Sequence, residues 1–384
     1  MASLSDVTVA PADSRADLRA FVQLPFDLYK DASHWVPPLR RDVFHALDPQ
    51  KNAFFEHGNV LPFLARDGSG RVVGRIAGIY NGAHLEKYDD ATGFFGFFET
   101  IDHPVVAERL FEAAETWLAQ QHLTRVRGPV NPSMNDTAGL LVDGFDRAPS
   151  VLMPYNFAYY EGLLERFGYA RAMTMWAYFA HAKYLRLDKM RRGVDLVTKR
   201  YPGLRVRPLD LARFDEEAAT VLDIYNDAWS ENWGHVPMRP AEFAQLAREL
   251  RQIVDPSIVL FLEDDGVPVA FILALPNIHL VLKNVRSGRL FPDAALRLLA
   301  ASKTGALHEV RVPLMGVRRP YHGRGLDAVM VLALIEEALV RGEYDSGEFS
   351  WILDVNAPMK NALVNLGAVV DKEYAMFEKT LAPR

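Results

Sequence analysis

Leu314-Met315-Gly316-Val317-Arg318-Arg319-Pro320-Tyr321-His322-Gly323-Arg324-Gly325-Leu326 is an apolar run entering a Gly-x-Gly turn. Residues 328–340 follow, with Val331, Leu334, Ile335 and Leu339 on one helical face. A strand that turns on glycine straight into a helix leaves backbone N–H groups unpaired at the positive end of the helix dipole, which is a seat for phosphate or pyrophosphate. Gly323 and Gly325 carry no Cβ, so the backbone there can approach an anion closely. Arg318, Arg319 and Arg324 add positive charge. The stretch predicts a phosphorylated ligand held at Val317, Arg318, His322, Gly323, Arg324, Gly325 and Leu326.

Three kinds of phosphate turn compete for this stretch. A Walker loop needs Gly-Lys-Ser/Thr, and neither the Lys nor the hydroxyl is present. Gly323-Arg324-Gly325-Leu326-Asp327-Ala328 fits the dinucleotide fingerprint on paper, but that fingerprint opens a doubly wound domain with several βα units after it. Here one helix, a strand, a short helix and a last strand remain. The surroundings instead resemble motif A of the GNAT acyltransferase superfamily, whose Gln/Arg-x-x-Gly-x-Gly/Ala turn cradles the pyrophosphate of acyl-coenzyme A. His322 stands where Gln or Arg is usual, and Asp327 where a small residue is usual.

Composition narrows the class. Of 384 residues, 49% are hydrophobic and 24% charged, which is globular and long enough for two domains. A net charge of −6 argues against nucleic acid as a partner. There is no cysteine, which excludes disulfides, thiol nucleophiles and Cys-based metal sites. Eleven histidines show no His-x-His or His-x-x-x-His spacing, so no metal is expected. The start Met1-Ala2-Ser3-Leu4-Ser5-Asp6 has neither basic nor apolar signal regions, and no apolar run reaches membrane-spanning length. The expected place is the cytoplasm, with peripheral membrane contact left open.

The chain repeats itself. Leu152–Asn156 and Ile352–Asn356 each read as a strand ending in Asn, followed by a short helix and a glycine, Gly168 or Gly367, 12 and 11 residues on. Upstream of each lies an amphipathic helix, 104–121 with Leu110, Phe111 and Leu118, and 328–340. Before those come hairpins around Asp67-Gly68-Ser69-Gly70 and Asp264-Asp265-Gly266. The pattern predicts an α/β (α+β) fold of two tandem units, residues 1–185 and 186–384, each a mixed, mostly antiparallel sheet flanked by helices. The join is placed at the basic stretch 184–192. This element order also resembles the GNAT fold. In the first unit Thr100-Ile101-Asp102-His103-Pro104 replaces the glycine turn, so that unit is expected to bind no coenzyme A in the usual way.

Acyl transfer to an amine needs a base for the amine, a donor for the thioester carbonyl and a proton for the thiolate. In the superfamily a carboxylate on the fourth strand relays the amine's proton. His308 and Glu309 begin that strand here, on opposite faces, so one of the two points at the cleft. The usual helix Tyr is replaced by Leu363, which leaves Tyr321, Tyr374 or water as the acid. Asn356 matches the superfamily's strand-end Asn that meets the cofactor; capping its own helix is the bland alternative. Two polar, aromatic loops are assigned to the acceptor or acyl chain. The first holds Asn131, Asn135, Asp136, Tyr155 and Asn156; the second holds Trp229, Asn232, Trp233 and His235.

The resemblance implies an acyl-coenzyme A-dependent N-acyltransferase, with acetyl-coenzyme A or a longer acyl-coenzyme A as donor and a small-molecule or lipid amine as acceptor. Bacterial tandem members acylate sphingoid bases to ceramides, which is the specific expectation. A catalytically inactive acyl-coenzyme A sensor or scaffold is the alternative, and a dehydrogenase ranks last. Phe54-Phe55, Phe94-Phe95 and Phe97-Phe98 fit an acyl tunnel or, more simply, core strands. The amine, the acyl length and the oligomeric state stay open.

Overall fold

The computed structural model describes residues 6–381; residues 1–5 and 382–384 lie outside it. The chain forms two compact units. Among the described residues the first holds 6–175, 282–296 and 372–381, and the second 176–281 and 297–371. The first takes in the end of the chain because, in the strand Val369–Thr380, residues 373–375 pair with Leu140–Asp143 and residues 377–380 with Arg125–Gly128.

In the first unit the strands Thr8–Pro11, Gly58–Arg66, Val72–Asn81, Thr92–Thr100 and Arg125–Gly128 lie side by side in that order. All the pairs are antiparallel except the last. In the second unit Leu204–Pro208, Val259–Asp264, Val267–Pro276, Glu309–Val317 and Ser346–Leu353 repeat the order, again with only the last pair parallel. Each first strand is followed by a helix, Arg15–Leu28 or Phe214–Ala228, and each fourth strand by another, Pro104–Gln120 or Leu326–Arg341. The two expected hairpins are formed, and so is the tandem mixed-sheet architecture.

Each long helix is held by its apolar stripe. Pro104–Gln120 buries Val106, Leu110, Phe111, Ala114 and Leu118, and Leu326–Arg341 buries Leu326, Met330, Leu334 and Ile335. Burying one such side chain contributes about 1.5–3 kcal/mol.

One expectation changes. No strand ends at Asn156; residues 151–157 are irregular, and the short helix there is Tyr159–Arg166. The side chain of Asn156 is buried against Leu141, taking its N–H (2.7 Å) and donating to its carbonyl (3.0 Å). The basic stretch 184–192 contains the end of a 3₁₀ turn, Ala182–Tyr184, and the start of a helix, Asp188–Arg200. The paired phenylalanines Phe94, Phe95, Phe97 and Phe98 are buried strand residues, and Phe54 is buried beside them in sequence order ahead of the hairpin.

The first unit also encloses a polar cluster that sequence patterning does not announce. Glu99 accepts hydrogen bonds from Tyr29 (2.6 Å) and Tyr160 (2.7 Å), with the Arg75 guanidinium 3.8 Å away. Burial raises its carboxyl above the usual range, and the pull of Arg75 and the two hydroxyls does not fully offset it. A raised pKa favours the protonated fold, so this contribution is present at low pH and lost as pH rises through the folded value. Relative to Glu99→Gln, the native protein should therefore lose stability as pH rises above about 4, the ordinary range of a glutamate carboxyl. Urea unfolding of both proteins across that range checks this; a constant difference would show that Arg75 holds Glu99 at its ordinary value.

Candidate active site

In the second unit the parallel pair runs only from Glu309 opposite Ser346 to Val312 opposite Phe349. Beyond that the strands part. At the same place the register against the neighbouring strand slips, Arg311 facing Leu275 and Leu314 facing Leu273, so Val312 and Pro313 together oppose Ala274. Such a bulge bends a strand, and Pro313 has no N–H to give to a ladder. The result is a fork whose apex is Val312/Phe349 and whose one arm, residues 313–317, leads to the glycine turn.

The turn has the geometry of an anion seat. Gly323 and Gly325 both lie in the left-handed region, with φ of 71° and 83°, and Gly325 is the N-cap of Leu326–Arg341 with no side-chain cap bond. A Cβ at Gly323 would meet nothing within 4 Å, whereas one at Gly325 would lie 2.9 Å from Val197 of the helix Asp188–Arg200. Open space over Gly323 and uncapped first-turn donors are what a pyrophosphate requires. Asp327 sits in the first helical turn rather than at the cap.

The basic residues around the turn divide. Arg318 reaches Asp223 (2.6 Å), and Arg319 reaches Asp227 (3.0 Å). Burial alone would raise Asp227, yet the backbone N–H and guanidinium of Arg319 hold it below the usual carboxylate range. Arg324 lies over the rings of Tyr201 and Tyr321, 5.9 and 5.4 Å from their centroids. His322 donates from Nε2 to the Val317 carbonyl at 2.7 Å, closing the turn on itself. Tyr321 stands at this end too, its hydroxyl donated to Asp264 at 2.8 Å, a bond that raises its pKa.

Glu309 lies at the far end of the strand, about 26 Å from Val317 at strand rise. It is buried, and Asn277 donates to it at 2.6 Å. His308 is on the surface, paired with Asp345 at 3.1 Å. Sequence reasoning missed what shares the face of Glu309. Arg311 binds the hydroxyl (2.9 Å) and carbonyl (3.0 Å) of Ser350, and Ser350 donates to Glu348. Glu348 and Ser350 are buried, and Arg311 pairs with Glu348 across the parallel ladder. The only sequence signal was alternation: Arg311 two residues after Glu309, and Ser350 two after Glu348.

The remaining candidates fall into place as follows. Asn356 caps its helix, accepting from the Met359 N–H at 3.2 Å. Trp229 and Trp233 are half-buried rather than exposed. The Trp229 indole donates to the Met315 carbonyl at 2.9 Å, on the arm beyond the fork. Asn232 takes part in the turn that follows Trp229, and His235 is buried against the Tyr225 ring. In the first unit, Asn131 accepts the Phe97 N–H at 2.6 Å, and Asp136 accepts from Ser133 at 2.7 Å. Asn135 donates its N–H to Ser133 at 3.1 Å, and Tyr155 packs against Tyr29.

The first unit has its own fork, since its parallel pair stops at Phe94 opposite Arg127 and its bulge falls at Phe97-Phe98. That fork is filled by the chain itself. Asn131 bonds the Phe97 N–H, and a Cβ on Gly96 would collide with the Val130 carbonyl.

A tandem mixed-sheet fold in which a strand fork leads to a glycine turn is the tandem GNAT fold, and solved structures agree. A tandem GNAT protein from the clavulanic acid biosynthesis pathway superposes with a TM-score of 0.58 at 14% identity, over 99% of this chain and 100% of that one. A GCN5-related N-acetyltransferase from Sphaerobacter thermophilus gives 0.52 at 14% identity, over 98% and 96%. No protein-family model matches the chain. Two curated relatives span nearly its whole length. The bacterial ceramide synthase of Caulobacter vibrioides is 36% identical over 386 residues, 98% of each chain. Protein YghO of Escherichia coli K12 is 34% identical over 372 residues, 96% of this chain and 94% of that one. The chain belongs to the family of these two proteins, and its fold is the tandem GNAT fold. No helix among the described residues is long and apolar enough to cross a membrane.

Because Asn356 holds an orphan N–H of its helix, Asn356→Ala should lower stability by about 0.5–2 kcal/mol in urea unfolding. A drop in ligand affinity without that loss would instead assign the side chain to the ligand.

Proposed function

We propose that the chain transfers an acyl group from acyl-coenzyme A to the primary amine of a lipid such as a sphingoid base. The fork of the second unit, running from its apex at Val312/Phe349 to the uncapped glycine turn, with Glu309 on the paired stretch of the same strand, is the observation that carries this. The ceramide synthase activity named for the Caulobacter relative supports the lipid amine.

In this reading the pyrophosphate rests on the N–H groups of residues 323–326, with Arg324 as its cation and Val317 and Arg318 as the wall. The pantetheine arm runs back along residues 313–317 towards the fork. Glu309, oriented by Asn277, takes the proton of the incoming ammonium. The amine nitrogen then attacks the thioester carbon, the C–N bond forms, and the C–S bond breaks with its electron pair going to sulfur. The thiolate takes its proton from water, because Tyr321 stands at the pyrophosphate end of the strand. Trp229 reaches the arm at Met315, and with Asn232, Trp233 and His235 of the same loop it would flank the acceptor. The first unit, its fork filled by Val130 and Asn131, holds no coenzyme A and supplies scaffold.

Two results test this. Glu309→Gln should lower turnover by about 10²–10⁴-fold with donor affinity nearly unchanged. An undiminished rate would remove Glu309 from the reaction, and tight donor binding with no turnover for any amine would make the native chain a sensor. Calorimetry should find one coenzyme A per chain, abolished by Gly323→Glu, which sets a negative side chain in the open space over the turn. Two equivalent sites, or unchanged affinity in the variant, would refute the assignment.

A further inference from the structure

We propose that the cavity between the sheet of the second unit and the helix Leu326–Arg341 receives the acyl tail of the donor, an unbranched aliphatic chain. The inference rests on the acyl-coenzyme A reading above and adds the substrate's chain to it. The cavity measures about 50 Å³ and is bounded by Val310, Val312 and Phe349 on the sheet and by Leu334, Ile335 and Ala338 on the helix.

Position is the first reason. Val312 and Phe349 are the last pair of the parallel ladder, so the cavity begins where the fork closes. A thioester whose pantetheine comes from the glycine turn points its acyl carbon at that apex, and its tail has to continue to one side of the sheet.

Chemistry chooses the side. Strand alternation puts Val310 and Val312 towards the helix and Glu309 and Arg311 away from it. On the far face an aliphatic tail would strip water and partners from Glu309, Arg311, Glu348 and Ser350, which is costly for buried charged groups. On the helix side it meets carbon. The polar side chains among the lining are already engaged: Asp345 and Ser346 are bonded to each other at 2.7 Å, Asp345 also to His308, and the Tyr344 hydroxyl donates to Asp255 at 2.9 Å.

The void is built by small residues. Ala180, Ala338 and Gly347 line it, and a Cβ on Gly347 would already press on Val310 Cγ2 at 3.0 Å. Such a volume holds roughly four water-sized groups, hence only the first methylenes of a tail. A longer chain has a way out past Leu339, which lines the cavity, is 39% exposed, and is followed by the 85% exposed Val340.

Filling the void is the test, with Ala338→Leu and Ala180→Leu made separately in the full chain. Both add carbon to empty space, so melting temperature reports whether each variant still folds. Rates would be measured with acetyl-, octanoyl- and palmitoyl-coenzyme A on one lipid amine, then with one donor on amines of different chain length. Calorimetry would give the affinity of palmitoyl-coenzyme A against coenzyme A itself. Each methylene kept from water is worth about fourfold, so folded variants should lose about tenfold or more with octanoyl and palmitoyl donors and keep acetyl transfer within about twofold. An unchanged donor profile in both folded variants would make the cavity a packing void and overturn the inference. So would a loss that follows the amine's chain length instead. If the native protein transfers none of these groups, the catalytic reading fails. The calorimetric comparison then still decides the cavity: weaker palmitoyl-coenzyme A binding in the variants supports it, and equal binding overturns it.

Discussion

When two hydrogen-bonded strands part inside a protein, the peptide groups they abandon must find other partners, since a buried N–H or C=O left alone costs about as much as a lost hydrogen bond. Both units face this requirement at the same point of their sheets and meet it differently. In the first, Val130 and Asn131 enter the gap and Asn131 takes the Phe97 N–H. In the second, the Trp229 indole covers one carbonyl, at Met315, on an arm that otherwise runs on to the glycine turn. One architecture thus yields a sealed copy and an open one, and the difference comes down to whether the chain supplies its own partner.

The strand of the second copy is partitioned by its alternation. Successive residues face a helix packed with leucine and isoleucine, then a cluster of buried carboxylates, a guanidinium and an amide. On the proposed function, that partition would sort a substrate with a greasy end and a basic nitrogen. At the other end, positive charge near the turn is smaller than the count of arginines implies. Arg318 and Arg319 are bound to Asp223 and Asp227, which leaves backbone dipoles and Arg324 to meet an anion.

Much of this was legible in the sequence. The hairpins, the amphipathic helices and the strand–glycine–helix junction are local patterns, and each formed within a few residues of its expected place. The first unit's acidic turn was legible for the same reason. Asn156 was not, because its resemblance to Asn356 is one of spacing: Asn356 has a helix N-terminus to cap, whereas Asn156 is held by the backbone of Leu141, a partner no spacing rule locates. Asn277, Glu348 and Ser350 were missed because they meet Glu309 and Arg311 through a bulge and a parallel crossover, both long-range. The helix Asp188–Arg200 was hidden by its composition; it is strongly basic and buries no residue fully, so it shows only as a charge run.

The order in which the chain is made is at odds with the order in which it can be finished. The strand Arg125–Gly128 receives its antiparallel neighbour from residues 377–380, so the half of the protein synthesised first waits for the half synthesised last. Until then it presents the apolar side chains that Tyr374, Ala375, Met376 and Phe377, all fully buried, will cover, together with an unpaired strand edge. The intervening unit has no such debt and can close from residues 176–371. Maturation is therefore expected to run from the later half to the earlier, inverting the usual direction of folding during translation. A lesion confined to the final strand would be felt chiefly in the unit whose residues lie more than two hundred positions upstream.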